Sequence, residues 1–189
     1  MAELTRIVLA GEGGQGVQTV AEILAEAANE EGKQALYIPN FGVEQRGGVS
    51  VAYVQISDRQ IGAPKFQTGD IVIALSDRAV HRTQKYVGPQ TTFVYDSTIQ
   101  GLEGELPENA GEVLPIPAVE VAKKEFHPRV FNIIILGAVV GASGVITLEQ
   151  AKAAVEKRLG SKFTKQPELR DLNFRALERG AGMAVRRAG

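Results

Sequence analysis

A glycine-rich loop between an apolar strand and an amphipathic helix constrains the fold of this chain more than any other feature. Ile7 to Ala10 is a short apolar run rich in β-branched residues, and Gly11 ends it. From Val17 onward, small and apolar residues recur at intervals of three and four, which predicts a helix that Gly32 ends. A continuous apolar strand is typical of a parallel sheet covered on both faces. The pattern therefore predicts an α/β fold.

The rest of the chain predicts more strands and then a run of helices. Strands are expected at 35–38, 49–57, 71–75, 92–95 and 113–116, with a helix at 77–86. Further helices are expected at 118–126, 130–142, 148–159 and 167–180, and Thr147 with Gln150 forms a candidate capping box. We predict one domain over residues 1–189, a Rossmann-like, mostly parallel open sheet flanked by helices, with a helical C-terminal third.

The composition excludes several classes of function. The 189 residues include 21 basic and 22 acidic side chains, a net charge of -1, which provides no concentrated basic surface for nucleic acid. The chain has no cysteine, which excludes disulfides, thiolate zinc sites, a catalytic cysteine and iron-sulfur clusters ligated by its own cysteines. His81 and His127 lie far apart, so we expect no metal site and assign no catalytic residue.

The same sequence predicts a cytoplasmic, soluble protein without a membrane partner. No targeting segment is visible at the N-terminus. The longest apolar run, 133–140, is much shorter than the roughly 18 residues that a membrane span requires.

The first candidate site is the loop after the first predicted strand, where Gly11, Gly13, Gly14, Gln15 and Gly16 satisfy the pattern G-x-G-x-x-G. Glycine lets the backbone turn sharply and approach a ligand, and free amides at a helix start favour an anion. The alternative interpretation is a tight turn required only by close packing of the strand on the helix.

Two better-known uses of such a loop lack their further residues. A dinucleotide site needs an acidic residue at the end of the second strand, where this chain has Ile38, Pro39 and Asn40. A phosphate-binding P-loop needs Gly-Lys followed by Ser or Thr, but Val17 and Gln18 follow the last glycine. Neither NAD binding nor nucleotide hydrolysis is well supported.

A second candidate site follows the second predicted strand. Gly42, Glu44, Arg46, Gly47 and Gly48 stand close together in a loop that the strand delivers to the same edge of the sheet as the first. A guanidinium can bind carboxylate or phosphate through two hydrogen bonds, and Glu44 can orient it or contact a partner. The alternative is a solvated loop ion pair, worth about 0 to 1 kcal/mol.

Taken together, the two glycine motifs resemble those of the gamma subunit, or gamma domain, of the 2-oxoacid:ferredoxin oxidoreductases. The resemblance rests on G-x-G-G-Q-G at 11–16 and on E-x-R-G-G-x-S at 44–50. Asp70, Asn132, the run Leu136-Gly137-Ala138 and the closing N-x-x-A-x-x-x-G of 173–180 extend it over nearly the whole chain. Without this resemblance, Gly137 and Gly141 indicate only close helix packing, in the core or at a subunit interface.

The resemblance implies one subunit of an enzyme that oxidatively decarboxylates a 2-oxoacid to its acyl-CoA and passes electrons to ferredoxin. It implies a hetero-oligomer in which other subunits hold thiamine diphosphate and the iron-sulfur clusters, while CoA joins in the assembled complex. The chain alone would hold no cofactor and be inactive. Gly11, Gly13, Gly14, Gln15, Gly16, Glu44, Arg46, Gly47 and Gly48 would then contact a ligand or a partner.

Two other functions stay open at the level of sequence. One is a Rossmann-like module that binds a dinucleotide or another anion through the first loop. The other is a purely structural assembly subunit. The substrate also stays open among pyruvate, 2-oxoglutarate, branched-chain and aromatic oxoacids.

Overall fold

The strands of the protein form one mixed sheet in a computed structural model that describes residues 4–41 and 48–185. Within these ranges the strands are β1 (Leu4–Gly11), β2 (Gln34–Asn40), β3 (Ser50–Ser57), β4 (Ile71–Ala74), β5 (Thr92–Asp96) and β6 (Glu112–Ile116). Their order across the sheet is β2-β3-β1-β4-β5-β6. β1, β4, β5 and β6 are parallel, whereas β3 is antiparallel to both of its neighbours.

Helices follow most of the strands. They are α1 (Val17–Glu30), α2 (Asp77–Thr83), α3 (Ala118–Glu125), α4 (Phe131–Ser143), α5 (Leu148–Lys165) and α6 (Glu168–Met183). The last four are consecutive, so the predicted helical C-terminal third is confirmed. Thr147 caps α5 as predicted, because its hydroxyl accepts from the Gln150 amide while the Gln150 side chain accepts from the Thr147 amide.

The two faces of the sheet carry cores of different size. The larger core joins the inward side chains of α1, α3, α4, α5 and α6 to residues such as Ile7, Leu9 and Ile73. The smaller core packs α2 and the loop around Leu102 against Val8, Val72 and Phe93. Because both faces of β1 and β4 are covered, their side chains are apolar without alternation.

Two predicted helix boundaries were wrong. The helix expected at 77–86 ends at Thr83, whose hydroxyl donates to the Ala79 and Val80 carbonyls, and a 3-10 turn follows. The helix expected to end at Leu159 continues through Gly160 to Lys165, because the buried side chain of Phe163 holds its last turn on the core.

No helix among the described residues is long and apolar enough to cross a lipid bilayer.

Candidate functional site

The first glycine loop leads from the end of β1 into α1. Gly14 and Gly16 have φ angles of 90° and 76°, which residues with a side chain rarely adopt. Gly13 and Gly14 are exposed, and a Cβ on either would meet no atom within 4 Å. The loop therefore presents bare backbone to the surroundings at its tip.

Gln15 holds this loop together from within. Its Oε1 accepts from the Glu12 amide at 2.6 Å, and its Nε2 donates to the Leu75 carbonyl at 2.8 Å. A Cβ on Gly11 would come within 2.6 Å of that Oε1. Gly11 thus makes room for the Gln15 side chain, which joins the loop to the strand end of β4.

Gly16 is the N-cap residue of α1 and brings the loop against α4. It has no side chain that could accept from the first amides of α1, which leaves the helix start suited to an anion. A Cβ on Gly16 would lie 2.8 Å from the Cβ of Asn132, in the first turn of α4. The ends of two helices consequently meet beside the loop.

The flanks of the second candidate site lie at the same edge of the sheet. Gly11 at the end of β1 pairs with Ser50 at the start of β3, and Asn40 at the end of β2 pairs with Val51. Gly48 is half-buried just before β3. Gly42, Glu44, Arg46 and Gly47 lie outside the described residues.

Gln18 joins the two candidate sites, a role that the sequence analysis missed. From the first turn of α1, its Nε2 donates to the Ser50 hydroxyl at 2.6 Å and to the Val51 carbonyl at 3.1 Å. Its Oε1 accepts from the Tyr37 hydroxyl at 2.6 Å. A polar residue two positions after the last glycine was the available signal. It could not show that the partner lies in another strand.

Tyr37 stays a protonated donor in this arrangement. Burial raises the pKa of its hydroxyl, the negative charge of Glu22 raises it further, and Arg158 opposes the shift. The hydrogen bond to Gln18 therefore persists throughout the neutral range, and with it the spacing between α1 and β3.

An aromatic cleft opens on the other face of β2 and β3. It has a volume of about 580 Å³, and its lining includes Ile38, Phe41, Tyr53, Phe66 and Tyr86. The Tyr53 and Tyr86 hydroxyls lie 2.8 Å apart, and burial followed by this contact raises the pKa of Tyr53. Phe41 is 68% exposed, directly before the second motif.

The other residues singled out from the sequence have structural roles. The carboxylate of Asp70 accepts from the Arg6 amide at 2.7 Å, which fixes β4 beside β1. His81 is exposed, with Nδ1 3.6 Å from Glu105, and His127 accepts from the Arg129 amide through Nδ1. Across residues 4–41 and 48–185, no group of three His, Cys, Asp or Glu side chains is placed to hold a metal ion.

Gly137 and Gly141 lie in the core, at the contact between α4 and α6. A Cβ on Gly137 would overlap the Leu177 carbonyl oxygen, and one on Gly141 would overlap that of Ala181. From the facing helix, a Cβ on Gly180 would overlap the Ile134 carbonyl oxygen. These three glycines therefore allow the two backbones to touch.

Comparisons with known proteins cover nearly the whole chain. Residues 6–183 match the family model described as pyruvate ferredoxin/flavodoxin oxidoreductase. The ketoisovalerate oxidoreductase subunit VorA of Methanothermobacter thermautotrophicus is 33% identical over 95% of this chain. The chain spans only 36% of that relative, about a third of its length. The 2-oxoglutarate synthase subunit KorC of Archaeoglobus fulgidus is 32% identical, over 84% of this chain and 81% of its own.

Solved structures give the same result. The gamma subunit of a keto/oxoacid ferredoxin oxidoreductase from Geobacter sulfurreducens superposes with a TM-score of 0.80 at 30% identity, covering 97% of both chains. A 2-oxoglutarate:ferredoxin oxidoreductase from Magnetococcus marinus, solved with 2-oxoglutarate, coenzyme A and succinyl-CoA bound, superposes with a TM-score of 0.86 at 25% identity. This chain covers 31% of that longer one.

Proposed function

The chain belongs to the pyruvate ferredoxin/flavodoxin oxidoreductase family, and we propose that it is the gamma subunit of a 2-oxoacid:ferredoxin oxidoreductase. The complex would oxidatively decarboxylate a 2-oxoacid to its acyl-CoA and pass the electrons to ferredoxin. The observation that carries the proposal is the full-length match to a gamma subunit, in which 97% of each chain is covered. We further propose that residues 1–189 form a single gamma-type domain and that the complex is cytoplasmic.

The contribution of this chain would be a surface for an anion at the carboxyl edge of the sheet. The tip at Gly13 and Gly14 presents backbone without side chains, and the start of α1 presents amides. The second motif would add the Arg46 guanidinium, because its flanks at Asn40 and Ser50 lie beside Gly11. A phosphate of coenzyme A or a carboxylate of a partner subunit suits this set of donors.

Other subunits would hold the redox cofactors. The chain has no cysteine for an iron-sulfur cluster. Thiamine diphosphate, when bound in the complex, supplies the electron sink for decarboxylation, while protein groups supply position and field. The partners in this proposal are therefore a thiamine-binding subunit and an iron-sulfur subunit, with ferredoxin as the acceptor.

The topology weighs against a dinucleotide-binding module. In such a module the strand after the first helix lies beside the glycine-loop strand and supplies the acidic ribose ligand. Here β3 separates β2 from β1, and β2 ends in Pro39 and Asn40. The ligand proposed for this edge is consequently an anion without the ribose contact.

Co-purification with the products of neighbouring coding regions tests the assignment. The isolated chain is expected to contain no iron and to show no oxidoreductase activity. Co-expression with the thiamine-binding and iron-sulfur subunits is expected to give 2-oxoacid- and CoA-dependent reduction of a viologen dye. Robust turnover by the chain alone, or no complex with these subunits, would overturn the proposal.

The variant Arg46→Ala tests the site itself. We expect nearly unchanged thermal stability, because a loop ion pair contributes about 0 to 1 kcal/mol. We expect subunit affinity or CoA use to fall at least about tenfold, equivalent to about 1.4 kcal/mol. Arg46→Lys should rescue only part, since an ammonium keeps the charge but loses the paired hydrogen bonds. Unaltered affinity and kinetics in Arg46→Ala would show that Arg46 is only a solvated loop residue.

A further inference from the structure

A second concave surface, here called the basic cleft, lies among the start of α4, the end of α5 and the start of α6. Its volume is about 550 Å³. Its apolar floor consists of Val130, Ile133, Leu159, Phe163, Leu169 and Leu172. A floor of this kind gains free energy when apolar side chains of another molecule cover it.

Three cations stand at the basic cleft without a countercharge. Arg129, Lys162 and Lys165 are exposed, and none of them forms an ion pair within residues 4–41 and 48–185. The described lining contains no Asp or Glu. The surface is therefore complementary to carboxylates placed beside apolar groups.

The remainder of α5 and α6 shows that this lack of pairing is local. Lys157 and Arg158, one turn before the cleft, pair with carboxylates of α1 at Glu30, Glu22 and Glu26. Other cations of the two helices pair in the same way: Lys152 with Glu149 and Glu178, Arg170 with Glu156, Arg175 with Asp171, and Arg179 with Glu125. Within α5 the paired basic residues end where the cleft begins.

The basic cleft opens next to the first glycine loop. Asn132 lines the cleft and also packs against Gly16 at the end of that loop. A macromolecule that reaches the bare backbone of Gly13 and Gly14 therefore has the cleft beside its path. The exposed tip and the cleft together form one continuous edge of the molecule.

We propose that the basic cleft binds a segment of a partner subunit that carries acidic side chains beside apolar ones. This inference rests on the proposed function, because it takes the partner from the same complex. A polypeptide segment fits better than a small inorganic anion, since an anion would neutralise the cations but leave the six apolar side chains of the floor uncovered. Carboxylates flanked by apolar side chains satisfy both parts of the surface.

Thiol labelling of the assembled complex tests the proposal, because the native chain contains no cysteine. Lys165→Cys places one reactive thiol of this chain at the cleft, and Lys123→Cys places one on the exposed side of α3 as a matched control. We expect assembly to slow labelling of the cleft thiol at least tenfold, and at least fivefold more than at the control. A cross-linker attached there is expected to capture a peptide of a partner subunit that contains Asp or Glu.

The outcomes separate this inference from the proposed function. If the complex forms and is active but protects both thiols equally, the cleft proposal alone is overturned. If inorganic phosphate or coenzyme A protects the cleft thiol in the isolated chain, the cleft binds a small anion, and the polypeptide proposal is again overturned. If no complex forms with the oxidoreductase subunits, both fall.

Charge reversal gives a second readout. The double variant Lys162→Glu/Lys165→Glu is compared with Lys85→Glu/Lys123→Glu, which makes the same change in charge elsewhere on the surface. We expect the cleft variant to bind the remaining subunits at least tenfold more weakly, with a smaller dependence on salt than the unmodified chain. Equal affinities for the two double variants would contradict the proposal.

Discussion

The first glycine loop and the contact between α4 and α6 both depend on glycine, for opposite reasons. At the helix contact, a Cβ on Gly137, Gly141 or Gly180 would overlap a backbone oxygen of the facing helix. At the loop, a Cβ on Gly13 or Gly14 would enter open space. The helix glycines are explained entirely by packing within the chain. Gly14 is explained by its φ of 90°, and Gly13 by neither cause.

The difference shows where the constraints on each region originate. A residue that the fold itself requires is expected to reveal its role in stability. A glycine at an open position with an ordinary φ has no such role, and close approach of another molecule would account for it. Substitutions in the two regions therefore separate the requirements of folding from those of assembly.

The largest effect is expected from Gly180→Ala. Its new methyl group would meet the Ile134 carbonyl, which belongs to the helix backbone and cannot rotate away. We expect a loss of about 3 kcal/mol in the free energy of unfolding, measured by urea denaturation. Gly182→Ala, in the same helix, meets nothing within 4 Å and should change stability by less than about 0.5 kcal/mol. Similar values for the two variants would mean that α4 and α6 are not in backbone contact.

A smaller effect is expected from Gly14→Ala. The methyl group has space, but the φ of 90° is strained for any residue with a Cβ. We expect a loss of about 1 to 3 kcal/mol in the free energy of unfolding, which thermal and urea denaturation would both detect. A fully stable Gly14→Ala protein would place the loop in another conformation and weaken the contrast with Gly180.

The ion pair between α3 and α6 is expected to contribute modestly, and only above acidic pH. Two hydrogen bonds from Arg179, at 2.8 and 3.0 Å, hold the pKa of Glu125 below its usual range. Since the folded state lowers this pKa, the stabilisation is present at neutral pH and disappears as the pH falls through the lowered value. NMR titration of Glu125 should show the low pKa, and Arg179→Gln should restore the ordinary one. An unchanged titration in Arg179→Gln would remove the pair from the account of this region.

The smallest effect on stability, and the sharpest test of the comparison, is expected from Gly13→Ala. The position is open and its φ is not positive, so the free energy of unfolding should change by less than about 0.5 kcal/mol. If a partner or ligand lies against the bare backbone, affinity for the remaining subunits or for CoA should nevertheless fall several-fold. Calorimetric binding and denaturation of the same variant measure both quantities. Normal assembly and turnover would remove the functional explanation for Gly13.

Local sequence signals predicted the local structure well. The run from Ile7 to Gly11 predicted a buried strand, and the capping pair of Thr147 and Gln150 predicted the start of α5. Such features depend on residues close in sequence. The expected end of α5 was wrong because Phe163, buried against the rest of the core, outweighs the low helix propensity of Gly160.

Features that depend on distant residues were not predicted. The insertion of β3 between β2 and β1 is a choice of pairing partners that no local pattern records. The hydrogen bond from Gln18 to Ser50 exists only because that topology places β3 beside the start of α1. The basic cleft combines Arg129 with Lys162 and Lys165, which come from separate elements. The two glycine motifs were recognised as a pair because the family resemblance joined them.

The central position of β1 also has a consequence for how the molecule folds. Ile7 lies between Val54 and Ile71, so the first strand finds its neighbours only among residues far along the chain. Closing such long loops before any pairing is rewarded makes folding slow and exposes an apolar strand in the meantime. During that interval the β1 segment is open to intermolecular strand pairing. The strand that supports the glycine loop in the native protein is therefore the segment most dependent on chaperones during synthesis.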